Sequence, residues 1–175
     1  MVEESERHTE ATPDADTAIT DLYTAHYARL VRLAALLLRD ESMAEEIVQD
    51  AFVALHRRWR KLHDPSKAVA YLRTSVVHGT RSVQRRRQVA ERNQPGPQPD
   101  AQSAEQSAMA GAAGEAVVEA LRALPPRQRE ALVLRYYGGL SESEIAAAMK
   151  ISNGAVKSHA SRGIAALRPL LESWS

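Results

Sequence analysis

The chain contains no cysteine. That excludes a disulfide framework, a thiol nucleophile and a cysteine-ligated zinc site. Aromatic residues make up only 5% of the 175 residues, with a single phenylalanine, against 44% hydrophobic residues overall. Such a composition suits Ala- and Leu-rich helices and argues against an all-β core. No apolar run reaches the length of a membrane span, and the N-terminal residues are acidic and polar, without the apolar core of a signal peptide. The expected location is therefore the cytoplasm, away from membranes. Six histidines are present, but no His-x-x-x-His pair occurs, and His56 and His63 stand seven apart. No metal site is expected. No nucleophile–base pair or phosphate-cradling glycine loop is found either, so no catalytic residue, no cofactor and no enzymatic activity are expected.

What the chain does have is segregated charge. Its net charge is only +1, yet residues 1–50 carry four basic and twelve acidic side chains, and residues 56–92 carry eleven basic and two acidic ones. The blocks stand at −8 and +9, and separation of sign sets a local field that overall neutrality hides.

Residues 1–18 read as an acidic, polar tail with Pro13 and no apolar periodicity. From Ile19, the residues Leu22, Tyr23, Tyr27, Leu30, Val31, Ala34, Leu37 and Leu38 recur at helical spacing. Ser42 and Glu45 suggest a capping box for a second helix, whose apolar face is Ile47, Val48, Ala51, Phe52, Leu55, Trp59 and Leu62 and which stops before Asp64-Pro65. Val69, Leu72, Val76, Thr80 and Val83 stripe a third helix that runs into Arg85-Arg86-Arg87, weakened at Gly79 by about 1 kcal/mol relative to alanine. These three make an N-terminal helical module over 19–92.

Residues 93–114 hold three prolines and only two charges, the composition of a linker. Its 22 residues would reach at most about 70–80 Å, or about 25 Å as a flexible coil, enough to separate two modules by about two DNA turns. A C-terminal module, 115–175, follows. Val117, Val118, Leu121 and Leu124 mark a short helix ended by Pro125-Pro126; Leu132, Val133, Tyr136 and Tyr137 mark the next, ended by Gly138-Gly139. The expected fold is all-α, two small helical domains joined by a flexible linker.

The segment LSESEIAAAMKISNGAVKSHASRGIAAL, Leu140 to Leu167, reads as two helices about a tight turn. Ser141 and Glu144 form a capping box for the first, with Ile145, Ala146 and Met149 inward. Lys150 to Ser152 is the turn, and the second helix starts at Asn153 with Val156, Ala160, Ile164 and Leu167 on one stripe. Asn153, Ala155, Lys157, Ser158, Ser161 and Arg162 lie off that stripe, mostly at the N-terminal end that a recognition helix presents to base edges. The small residues permit close approach to a groove, and the helix dipole, Lys157 and Arg162 attract phosphate. A helical hairpin with a solvated polar face would share much of this pattern.

Two further stretches carry a resemblance. AEEIVQDAFVAL, Ala44 to Leu55, resembles the core-binding helix of bacterial sigma factors, and Leu121 to Arg168 resembles the promoter-reading domain of the same family. Their order, with only a linker between them, is similar to that of the extracytoplasmic-function class, and the likeness spans about residues 19–172. The resemblance implies a promoter-specificity subunit that binds RNA polymerase core, directs it to promoter DNA and assists strand opening. Its implied partners are the clamp coiled coil of the polymerase largest subunit, the polymerase flap, promoter DNA and an inhibitory anti-sigma factor, with the free protein a monomer.

Residue by residue, Glu46, Gln49 and Asp50 match the polymerase-binding motif, with Glu45 outward beside them and His56 further along. An acidic stripe favours a basic partner, although most such stripes are simply solvated. The third helix resembles the segment that opens and holds the minus-10 element. Unstacked bases need a cationic track and flat or polar surfaces. Tyr71, Arg73, Thr74, His78, Arg81, Ser82, Arg85 and Arg86 supply these, with Arg58, Arg60 and Lys61 on the preceding turn. The triple arginine alone suits a solvated helix end equally well; the net +9 over 37 residues favours DNA. For duplex at the minus-35 element, Lys157 and Arg162 are candidates for phosphate or base contacts, and Asn153, Ser158 and His159 for sequence reading. Arg127 and Arg129 could touch the backbone or simply face solvent.

The chain departs from the family pattern at base-reading positions. His78, followed by Gly79, stands where asparagine is usual, Ala155 where threonine is common, and His159 where arginine is common. The main rival is a LuxR-like regulator that binds duplex operator without polymerase. The Ala44–Leu55 helix and the basic third helix speak against it. A second is an interaction protein that kept the fold and lost DNA binding.

Overall fold

Seven α-helices and their connecting turns account for the described residues, 14–93 and 112–173, of the computed structural model. Helix α1 (Ala15–Leu38) starts before the predicted Ile19, so residues 15–18, expected in the tail, belong to it. Residues 1–13 of the tail and 94–111 of the linker lie outside the described residues, while 93 and 112–114, expected in the linker, belong to the helices on either side of it. Helix α1 stops at Arg39, which adopts the left-handed conformation with φ 59°.

Helix α2 (Glu41–Arg58) is capped by Asp40, not by the predicted Ser42. The Asp40 carboxylate accepts from the Met43 N–H at 3.0 Å through Oδ1, while Oδ2 takes the Arg87 guanidinium at 2.5 Å. A carboxylate serves both tasks; a serine hydroxyl could not neutralise the arginine. A 3-10 turn, Trp59–Lys61, replaces the last expected turn of α2, and a second, Pro65–Lys67, is set by Asp64, which accepts from Ser66. Those Ser66 hydrogen bonds hold the Asp64 carboxyl below its usual range. Helix α3 (Ala68–Asn93) then packs across α1 and α2.

The core of this N-terminal module is Leu30, Val31, Ala34, Leu38, Ile47, Val48, Phe52, Leu55, Trp59, Leu72, Val76 and Val83 with smaller alanines, as the stripes predicted, whereas Tyr23, expected inward, is exposed. Gly79 lets α3 approach α2 closely, because a Cβ there would stand 2.7 Å from Ile47 Cγ2. The cost of glycine to helix propensity is thus offset by interhelical contact. From α3, Gln84 donates to the Leu37 carbonyl (3.1 Å) and Arg87 to the Leu38 carbonyl (3.2 Å), satisfying the open end of α1.

In the C-terminal module, α4 (Ala112–Ala123) precedes α5 (Pro126–Leu132), which Pro126 begins as predicted. Helix α5 runs on as a π-helical turn, Val133–Tyr137, closed by the bond from Gly138 N–H to the Val133 carbonyl (2.8 Å). The wider turn shifts the register of the following side chains. Leu132, Val133 and Leu134 are therefore buried, while Tyr136, expected inward, is 67% exposed. Gly139, at φ +65°, takes the chain away from the helix into α6 (Glu142–Met149) and α7 (Asn153–Glu172).

The two modules touch. Leu33 and Leu37 from α1 and Val77 from α3 share one buried cluster with Ala131, Val133, Leu134, Ile145, Ala148, Met149 and Val156. Helix α1 is consequently buried on two faces near its C-terminus, one toward its own module and one toward the other.

Candidate nucleic-acid interface

The helix-turn-helix is built as the sequence predicts. Ser141 accepts from the Glu144 N–H (3.3 Å) and the Glu144 carboxylate accepts from the Ser141 N–H (2.7 Å), so both halves of the capping box are made. The bond from the Ser141 backbone, followed by that from its hydroxyl, lowers the Glu144 pKa. Lys150 turns the chain at φ 54°, and Ser152 caps α7 by accepting from the Ala155 N–H at 3.1 Å. Ser152, expected in the turn, is the cap of α7, a role that fits a serine directly before a helix.

Along α7, Val156 and Ala160 are buried as predicted, but Gly163 takes the next inward place, and Ile164 is 39% exposed. A Cβ at position 163 would stand 2.8 Å from Leu132 Cδ1, which fixes how closely α7 lies on α5. Asn153, Lys157, Ser158, Ser161 and Arg162 are exposed; Ala155 and His159 are half-buried. Lys157 reaches Glu142 (3.7 Å), which also holds Arg135 (3.7 Å), so phosphate binding there competes with an intramolecular carboxylate. His159 Nδ1 is shielded from solvent and unpartnered.

The two arginines beside the prolines separate. Arg129 is 9% exposed and donates to the Arg122 carbonyl at 3.5 Å. It is a structural residue, and the backbone-contact alternative is overturned: burial, assisted by Arg39, lowers its pKa while Glu130 opposes the shift. Arg127 keeps half its side chain exposed but donates to Glu130 and to the Met149 carbonyl, both at 3.3 Å.

In the N-terminal module, Glu45, Glu46, Gln49, Asp50 and Val53 are all exposed on α2, opposite buried Ile47, Val48, Ala51 and Phe52. His56, expected on this face, is tied to Asp16 of α1 at 2.8 Å. Glu46 and Asp50 form one wall of a 580 Å³ groove whose other side includes Ser82, Arg86 and Arg87 of α3. The triple arginine divides: Arg85 and Arg86 are exposed, and Arg87 is the inward partner of Asp40.

Among the strand-holding candidates, Arg58, Arg60, Lys61, Thr74 and His78 are exposed. The Arg58 guanidinium lies over the ring of half-buried Tyr71, 5.7 Å from its centroid. Tyr71 and Arg85 are 14 residues apart on one helix, about 21 Å of track. Arg73 and Arg81 are otherwise engaged. Arg73 donates to the Gly139 carbonyl (3.4 Å), and Arg81 pairs with Glu130 (2.7 Å) and donates to the Met149 carbonyl (3.2 Å).

Two helical modules, one with an acidic helix beside a cationic one and the other a capped helix-turn-helix, define a DNA-directed transcription protein. Residues 22–89 match the Sigma-70 region 2 family and residues 114–167 match the Sigma-70, region 4 family. An RNA polymerase sigma-E factor of Streptomyces avermitilis is 37% identical over 145 residues, covering 82% of this chain and 79% of that protein. CarQ, an RNA polymerase sigma factor of Myxococcus xanthus, is 29% identical over 165 residues, covering 90% and 91%. Among solved structures, the sigma factor RpoE of Bartonella quintana, bound to the anti-sigma factor NepR, superposes with a TM-score of 0.69 at 25% identity, covering 87% of this chain and 95% of that one. The chain belongs to the sigma-70 family, in its extracytoplasmic-function class, and acts with RNA polymerase in transcription initiation.

No described helix is long and apolar enough to cross a membrane.

Proposed function

We propose that the outward face of α2 binds the clamp coiled coil of RNA polymerase, that α3 with the turn before it holds the opened minus-10 strand, and that α7 reads the minus-35 duplex. One observation carries this reading: Glu45, Glu46, Gln49, Asp50 and Val53 stand together in solvent on one helix, beside a second helix that carries exposed Arg85 and Arg86. An acidic face ending in an exposed apolar residue suits a basic partner. The neighbouring cationic track suits a strand delivered by that partner. Arg58 over Tyr71 is the one place on it where charge and a flat ring combine. Promoter opening is then driven by tighter binding to the separated strand than to the duplex, and the polymerase carries out the chemistry.

The flap of the polymerase is assigned to the C-terminal module. The solved relative RpoE, bound to the anti-sigma factor NepR, supports an anti-sigma partner for this chain. Monomeric, cytoplasmic behaviour completes the reading.

The test is run-off transcription with purified core polymerase, paired with a Glu46→Lys, Asp50→Lys chain. The double variant is expected to lose core binding and transcription while still binding duplex DNA. Unchanged polymerase affinity would overturn the assignment of α2, and duplex binding without any core-dependent transcript would overturn the strand-holding role of α3.

A further inference from the structure

We infer that Asn153, followed by Gly154 in the first turn of α7, is a self-modification site: the pair cyclises, loses ammonia and leaves a carboxylate on the face that meets duplex. The effect on duplex binding rests on the reading of α7 given above; the chemistry does not.

The chain has two asparagines, and only Asn153 precedes glycine. Asparagine is among the thermolabile residues, and its amide is open to attack by the backbone nitrogen that follows it. The nitrogen of residue 154 bonds to the Asn153 side-chain carbonyl carbon, the Cγ–Nδ2 bond breaks, and ammonia leaves carrying the backbone proton. Water then opens the cyclic imide at either carbonyl. One product is aspartate; the other is isoaspartate, whose main chain runs through the former side chain. Neither step requires an oxidant or a reductant.

The site is open to this chemistry. Asn153 and Gly154 are both exposed, and among the described residues none holds the Asn153 amide. The Gly154 N–H is one of the first four of its helix, which lack an intrahelical acceptor. The cap leaves it free, because the Ser152 hydroxyl accepts from the Ala155 N–H (3.1 Å) and the Ser152 carbonyl from the Val156 N–H (3.0 Å). Nothing crowds the attacking nitrogen: a Cβ at 154 would find Ser152 Oγ as its neighbour, 3.9 Å away. The helical backbone is the brake. Ring closure requires rotation about the Asn153 Cα–C bond, which breaks the Ser152 cap, so the rate follows the opening of this turn.

Aspartate at position 153 suits the helix, because the dipole favours negative charge at an N-terminus. It does not suit DNA, since that end is where α7 would attract phosphate, and Lys157 already shares Glu142 at 3.7 Å. The aspartate form is therefore a folded reader that repels its target. The isoaspartate form carries an extra main-chain carbon and loses the first turn as well.

The experiment ages the full-length chain in warm, mildly alkaline buffer and follows the peptides containing Asn153 and Asn93 by mass spectrometry with isoaspartate detection. Asn153 is expected to convert while Asn93 persists, and Gly154→Ala, at an uncrowded position, is expected to slow the conversion. Ser152→Ala is expected to speed it about fivefold, the rate factor for losing a cap that contributes about 1 kcal/mol. Asn153→Asp is expected to melt no lower than wild type and to bind a labelled mixed-sequence duplex about tenfold more weakly, within the range of one lost base contact. Should Gly154→Ala fail to fold by circular dichroism, Asn153→Gln, which keeps the amide on a longer arm, serves as the slow variant. An Asn153 that persists as Asn93 does, or a conversion as fast in the slow variant, overturns the site. Wild-type duplex affinity in Asn153→Asp overturns the loss of reading. Absence of duplex binding by every chain would sink the reading of α7 itself, while the masses still decide whether the residue modifies itself.

Discussion

The N-terminal module closes its own core, whereas the C-terminal module does not. Leu30, Phe52, Leu55, Leu72 and Val76 meet within one contiguous cluster contributed by α1, α2 and α3. Among the described residues, the cluster private to the C-terminal module is Leu124, Leu132 and Ala160, while Val133, Leu134, Ile145, Met149 and Val156 share a cluster with Leu33, Leu37 and Val77 of the neighbour. Short helices with many alanines bury little area each, so a reader of this size gains stability by leaning on a larger module. The difference teaches that the C-terminal module depends on the shared cluster for its core more than the N-terminal module does.

The sharpest way to break this comparison is a pair of core truncations. Leu72→Ala, at a side chain 0% exposed, should cost about 2–5 kcal/mol and loosen both modules, because the one lends its surface to the other. Leu132→Ala should expose the amides of α4, α5 and α7 in hydrogen exchange while leaving α1 to α3 protected. Equal loss of protection in both modules after Leu132→Ala would show that the cores are not separable. A smaller effect is expected at the cap: Ser141→Ala should destabilise the reading motif by about 1 kcal/mol, seen as weaker duplex binding with an unchanged N-terminal module.

Smaller still is the pH response of that cap. The folded pKa of Glu144 lies below its unfolded value, so the capping contribution is complete above the ordinary glutamate range and fades as pH falls through the lowered value. Unfolding midpoints taken between about pH 5 and 3 should therefore fall more steeply for wild type than for Glu144→Gln. Parallel slopes would remove Glu144 from the cap.

Where side-chain pattern and local chemistry suffice, the sequence was a good guide. The capping box at Ser141, the turn at Lys150, Pro126 at a helix start and the exposed Glu46–Gln49–Asp50 face all required only neighbours along one helix. Three sites needed more. Asp40 displaced Ser42 as cap because Arg87, far along the chain, also needs a carboxylate. The π-helical turn reversed the expected burial of Tyr136 by changing the period on which the stripe was counted. Arg129 reads as a surface cation in any window of sequence, yet it lies beneath α4 with its guanidinium on the Arg122 carbonyl. One signal was legible and missed: Leu33-Ala34-Ala35-Leu36-Leu37-Leu38 is apolar all around the helix, the pattern of a segment buried on more than one side.

The sequence by itself determined the helices, the capping box at Ser141 and the separation of acidic from basic residues, since these depend on residues a few positions apart. Only the tertiary structure decided which cations are free to meet a polyanion. Arg73, Arg81 and Arg87 share the composition and helix of Arg85 and Arg86, but each finds a carbonyl or carboxylate from a distant segment. A guanidinium's availability is set by what else stands within hydrogen-bond reach, and that distance is a property of the packed chain.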